Sequence, residues 1–222
     1  MSQSEHLTIA DINDVLSWGW DGRRLVDQMI DLWYETIEGL TYEHVGEPEQ
    51  WLPIFMEYPD TWRLFVSAPE TIAGYWHFLP LSEPLFALAK QGCLKDSHIT
   101  TSGALLPMEK PGWYDIYAFT VCVRSGFRGV PVLMLMGKSF LDVVRKFAGK
   151  GIFIREICSN VFTPIGLGFN QALGLSYVCD HIDHGKIFLG ELSSLLQHNR
   201  VRAFPEFNIA ELCQLYGVSS KG

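Results

Sequence analysis

Two stretches of this chain hold residue types at spacings that could do chemistry. The first, Trp113 to Val132 (WYDIYAFTVCVRSGFRGVPV), couples a single carboxylate, Asp115, to a polar link of arginines and glycines. A protonated amine cannot act as a nucleophile until a base removes its proton, and a positioned carboxylate can do that. The link leads into an apolar run of helical spacing, and a helix N-terminus carries free amides and a positive dipole end, which suits a phosphate. Arg128 and Gly129 stand at that junction; the plainer reading is an ordinary strand-to-helix turn. The second stretch is His181, Asp183 and His184. Histidine and carboxylate can bind a metal, but three candidates in one turn read as a polar turn, and no metal is expected.

The elements that must place these groups follow from periodicity. Residues 113 to 123 form a long strand, on which alternation puts Trp113, Asp115, Tyr117, Phe119, Val121 and Val123 on one face. Asp115 is then a lone carboxylate among apolar neighbours, where burial would make it a stronger proton acceptor. A carboxylate at the frayed strand start is the alternative. Pro131 suits the first position of a helix reaching Ala148, with Leu133, Met136, Phe140, Val144 and Phe147 as its stripe. A strand from Ile152 to Cys158 completes a strand, helix, strand crossover between near-parallel strands.

Upstream, Asp21 to Glu38 reads as an amphipathic helix closed by Gly39, and Pro48 to Met56 as a shorter one. Strands at 62 to 68 and 71 to 79 make a hairpin about a Pro-Glu turn, and a helix spans Ser82 to Lys90. Residues 93 to 112 read as a loop. Downstream come a helix near Pro164 to Leu173, strands at 175 to 180 and 186 to 192, and a C-terminal helix from Pro205 to Tyr216. The N-terminal tryptophans, Trp18, Trp20, Trp33, Trp51 and Trp62, are expected to pack helices onto the sheet, or else to line an apolar acceptor pocket.

With 222 residues, 48% hydrophobic and 19% charged, the chain can bury a sizeable core and is expected to fold as one domain. A net charge of -8 without a local basic patch argues against nucleic acid as partner. No secretory leader or membrane-length apolar run is seen, and five cysteines without paired spacing read as reduced thiols, so a cytoplasmic, membrane-free protein is expected. Cys158 beside Ser159 is the alternative nucleophile. His77 and Glu156 are weaker base candidates than Asp115.

The order of elements resembles the GNAT N-acetyltransferase superfamily. In that family a Val-x-Val strand precedes a (Gln/Arg)-x-x-Gly-x-(Gly/Ala) loop, which VCVRSGFRGVPVLML follows in outline, and TPIGLGFNQALGL resembles its next helix. The resemblance covers about residues 60 to 192. It implies an α/β fold, a twisted mixed sheet flanked by helices, with a helical N-terminal region (1 to 59) and a C-terminal helix (203 to 222). It implies an enzyme that moves an acyl group from acetyl-CoA or another acyl-CoA to a small-molecule or peptide amine. Val121 and Val123 would then meet the pantetheine, Arg128 with the amides of Gly129, Val130 and Val132 would hold the pyrophosphate, and Asn160 would bond a pantetheine amide or cap the next helix. Counted back from the loop, Asp115 falls where the histone-acetylating branch carries its Glu base. The chain departs from the pattern at Pro131 and Leu133, where small residues are expected, and at Asn170, where the family often has a Tyr acid. The leaving thiolate would then be protonated by water or another residue such as Tyr117 or Tyr177. These departures also motivate an alternative, a binding or regulatory module without transferase activity. A homodimer through the C-terminal helix is a further alternative.

Overall fold

The computed structural model describes residues 7–37, 46–68 and 70–219. In chain order the elements are β1 (Thr8–Ala10), α1 (Ile12–Ser17), α2 (Gly22–Thr36), α3 (Pro48–Glu57), β2 (Trp62–Ala68), β3 (Thr71–Pro80), α4 (Glu83–Lys90), α5 (Thr101–Ala104), β4 (Gly112–Val123), α6 (Val130–Ala148), β5 (Ile152–Val161), α7 (Pro164–Ala172), β6 (Ser176–Asp180), β7 (Lys186–Glu191), α8 (Leu192–Gln197), α9 (Asn199–Arg202) and α10 (Ile209–Leu215). The strands follow the order β1-β2-β3-β4-β5-β7-β6 in one mixed sheet. The expected crossover is present, since β4 and β5 pair in parallel with α6 between them in sequence. Contacts gather the chain into two compact units: Met1–Phe78 with Lys95–Ser102 and Thr120–Ser139, and Leu79–Leu94 with Gly103–Phe119 and Phe140–Gly222.

The first unit is built on rings. Helix α2 is capped by Asp21, whose carboxylate accepts from Arg24 N–H at 2.8 Å, and it buries Leu25, Val26, Met29, Ile30, Leu32 and Trp33. Gly39, the expected helix stop, and Pro69 of the expected hairpin turn lie outside the described residues. Trp33 meets Trp51 edge-on at 5.6 Å, and Phe55 continues the cluster onto Trp62. Two buried rings also use their polar edges on backbone: Trp62 Nε1 donates to Phe55 O and Tyr75 OH to Met29 O. This is the packing role expected of the N-terminal tryptophans. Strand β1 and helix α1 were not legible; α1 is set by a capping box between Asp11 and Asp14 ahead of only one fully buried side chain, Val15.

The second unit is built on ladders. Strand β7 lies between β5 and β6, antiparallel to both. The expected C-terminal helix is broken: Pro205–Phe207 is a single 3-10 turn, Asn208 takes φ +46, and α10 follows. Helices α8 and α9 were not expected, because their apolar residues Leu192, Leu195, Leu196 and Val201 continue directly from β7 with no side-chain cap to mark a start. The stretch read as loop, 93 to 112, holds α5 and a bridge from Leu105 to Leu81. On α6 the buried residues are Val132, Met136, Ser139, Leu141, Val143, Val144, Phe147 and Ala148; Leu133 and Phe140, expected in the stripe, are only half-buried. Ser139 fits among the buried residues because it accepts from Trp76 Nε1 at 3.2 Å.

Candidate functional site

Within the first unit, the end of β4 turns through a 3-10 segment, Ser125–Phe127, into the N-terminus of α6. Pro131 occupies the second helical position and has no N–H, and Leu133 N–H already bonds Gly129 O at 3.3 Å, so Val132 is, among the described residues of the first turn, the one whose amide is left to meet an acceptor. The Arg128 side chain is exposed, and its Nε donates to Val123 O at 3.1 Å. This bond closes the loop and leaves the Nη edge of the guanidinium outside it. Arg124, by contrast, pairs with Glu35 of α2 at 3.0 Å. Val121 is 48% exposed whereas Val123 and Val132 are buried. Among the described residues the last register pair between β4 and β5 is Ala118 with Ser159, and β5 ends two residues later at Val161, so the last stretch of β4, including Val121 and Val123, outruns that ladder.

In the second unit Asp115 is not the lone carboxylate that alternation suggests. Between the pairs Tyr114–Ile154 and Ile116–Ile157, one residue of β4 faces two of β5. The extra residue turns Arg155 onto Asp115, with Nε to Oδ1 at 2.9 Å and Nη2 to Oδ2 closing a bidentate pair. The carboxylate hydrogen bond raises the Arg155 guanidinium above its ordinary value. Glu156 meanwhile pairs with Lys90 of α4 at 3.1 Å. Ile154 N–H, beside the bulge, finds the hydroxyl oxygen of Tyr216 at 2.9 Å, and burial pushes that phenol up. Trp113, 57% exposed, stacks on Phe153 at 5.1 Å with Tyr216 edge-on. Arg155 and Tyr216 were missed in the sequence; two consecutive charges, Arg155 and Glu156, inside an apolar strand were the available sign of a bulge.

The remaining candidates separate. Tyr117 is buried at 1% exposure, while Tyr177 is exposed on β6, which β7 and β5 separate from β4. Tyr177 OH donates to Asp180 at 3.2 Å, and partial desolvation followed by that bond raises the phenol. Asp115, Tyr117 and Tyr177 are therefore not brought together as one acid-base group. Asn160 has a side-chain amide whose nitrogen and oxygen are both buried without a hydrogen-bond partner among the described residues, and it packs directly on Gly185, where a Cβ would lie 2.0 Å from Asn160 Oδ1 and push the amide aside. Asn160 does not cap α7; Thr163 does, accepting from Gly166 N–H at 3.0 Å. Asn170 at the end of α7 donates to Gly166 O, a structural bond. His77 is packed on Phe55 at 4.5 Å, and burial pulls its imidazole down to about 3, so it stays neutral. In the polar turn both ring nitrogens of His181 are engaged, Nε2 with Leu94 O at 2.7 Å and Nδ1 with Asp183 N–H. Cys158 is fully buried.

No protein-family model and no curated protein matches the sequence. Solved structures do match in three dimensions. The loading GNATL domain of CurA from Lyngbya majuscula superposes with a TM-score of 0.54 at 10% identity, over 86% of this chain and 100% of that one. Ard1 from Thermoplasma volcanium gives 0.49 at 8% identity, over 83% and 97%. Naa50 of Arabidopsis thaliana, in complex with the bisubstrate analogue CoA-Ac-MVNAL, gives 0.47 at 12% identity, over 82% and 95%. The first of these likenesses establishes the fold: the chain has a divergent GNAT-like fold.

Proposed function

We propose that the protein is an acyl-CoA-dependent N-acyltransferase whose acceptor is a small-molecule or peptide amine. The observation that carries this reading is that β4 outruns its ladder with β5 and passes through an arginine-bearing loop into the N-terminus of α6. The backbone of Val121 and Val123 would bond the pantetheine amides. Val123 would do so with its N–H or its second lone pair, since Arg128 uses its carbonyl. The Nη edge of Arg128 and the amides of Gly129, Val130 and Val132 would hold the pyrophosphate. The buried, unanswered amide of Asn160 fits a pantetheine amide in chemistry. Bound there, acyl-CoA would supply the thioester carbonyl that the amine attacks.

The chain's own acid-base work would fall to Asp115 as the acceptor of the amine proton. Its pairing with Arg155 gives it a fixed orientation and leaves carboxylate lone pairs for a further donor. Tyr177 stands too far along the sheet to share this work, so the proton for the leaving thiolate would come from water or from Tyr117 on the strand that carries Asp115. If Asp115 is the base, Asp115→Asn lowers acyl transfer by about 100-fold and flattens the acidic limb of the pH profile. A variant with unaltered rate and profile removes the assignment.

A second reading is favoured by Pro131, which removes one amide from the anion site, and by the structural use of Asn170. On that reading the fold binds acyl-CoA without turnover. Thiol release across a broad amine panel supports the enzyme, and bound acyl-CoA with no release on any amine supports the binding module.

A further inference from the structure

The thiols divide by exposure. Cys122, Cys158 and Cys213 are buried, Cys179 is half-buried and Cys93 is exposed. The last two meet at the carboxyl end of α4. Gly92 takes φ +70 there, and a Cβ on it would lie 2.5 Å from Asp180 O, so only glycine lets the end of β6 pass so close to the helix. The approach is fixed on both sides: Ile182 N–H donates to Gly92 O at 2.9 Å, and Cys93 N–H donates back to Leu88 O at 3.0 Å. Cys179 Sγ lies 3.6 Å from Lys90 O and Cys93 Sγ lies 3.5 Å from Gln91 O. The two sulfurs thus rest on carbonyls of consecutive residues at one helix end. Burial, then the neighbouring Cys93, pushes the Cys179 thiol up.

We propose that Cys93 and Cys179 form an oxidation site, which a peroxide converts to an intramolecular disulfide joining α4 to β6. Cys93, the exposed partner, reacts first: its thiolate attacks one peroxide oxygen, the O–O bond breaks, and a sulfenic acid and one water result. The Cys179 sulfur then attacks the Cys93 sulfur and expels the hydroxyl, which leaves as a second water. Two thiols are oxidised, one peroxide is reduced, and the two thiol protons leave in the two waters. The other three thiols are spared by burial.

The test treats the reduced full chain at neutral pH with a small excess of hydrogen peroxide, blocks the remaining thiols under denaturing conditions, and maps the digest by mass spectrometry. The expected product is monomeric, lighter by two hydrogens, has one cross-linked peptide pair holding Cys93 and Cys179, and reverts with a dithiol reductant. Under the same treatment Cys179→Ser should stop at a Cys93 sulfenic acid that dimedone traps. A wild-type product modified at Cys93 with Cys179 still reduced, or one cross-linked between chains or through another cysteine in equal yield, would overturn the proposal.

Discussion

The two units differ in what they place inside and outside. The first holds six of the seven tryptophans and, with fifteen acidic residues against seven Lys plus Arg, the whole net negative charge; the second is formally neutral, ten against ten. Packed rings, two of them bonded to backbone by their polar edges, characterise the first, and strand ladders with partly exposed ion pairs the second. The difference bears on the proposed anion site, which lies in the acidic unit. There is no long-range attraction for a polyanion to exploit, so binding must come from short directed bonds at Arg128 and the α6 amides.

The largest effect should come from removing a ring of the first unit. Trp51 is fully buried against Trp33, Phe55 and His77, and Trp51→Ala should cost about 3–5 kcal/mol in denaturant unfolding. Trp113→Ala, at an exposed ring of the second unit, should cost less than about 1 kcal/mol. Equal costs would erase the contrast.

Next comes pH. His77 is neutral in the folded chain with its imidazole at about 3, below the ordinary unfolded value of about 6.5. Its contribution is therefore fully present above about 6.5 and is lost as pH falls toward 3, by up to about 1.4 kcal/mol per pH unit. His77→Gln should flatten that part of the stability curve. An unchanged slope would mean that the imidazole is not held neutral.

The Asp115–Arg155 pair should matter less to stability, because the Arg155 side chain is 61% exposed. Arg155→Gln should cost about 0.5–1 kcal/mol, and it should move the acidic limb of the activity profile if Asp115 is the base. Smallest of all, Lys186→Gln on the exposed hairpin should leave the denaturant midpoint unchanged, since its partner Asp180 is also exposed.

The same contrast explains what could be read without coordinates. Helix α2 and strand β4 were legible because their apolar periodicity is long, and α6 because Pro131 and a nineteen-residue run mark it. The ring cluster was legible in kind from tryptophan density. The partner of Asp115 was not. Arg155 lies forty positions further along the chain, and its meeting with Asp115 depends on the register between two parallel strands, which a single extra residue in β5 resets.

The central claim is that the altered loop still binds acyl-CoA. Calorimetric titration with acetyl-CoA, a longer acyl-CoA and free CoA should give micromolar binding, about 8 kcal/mol, and Arg128→Ala should weaken it about tenfold. No heat with any of the three, together with an unchanged melting temperature, would contradict the account.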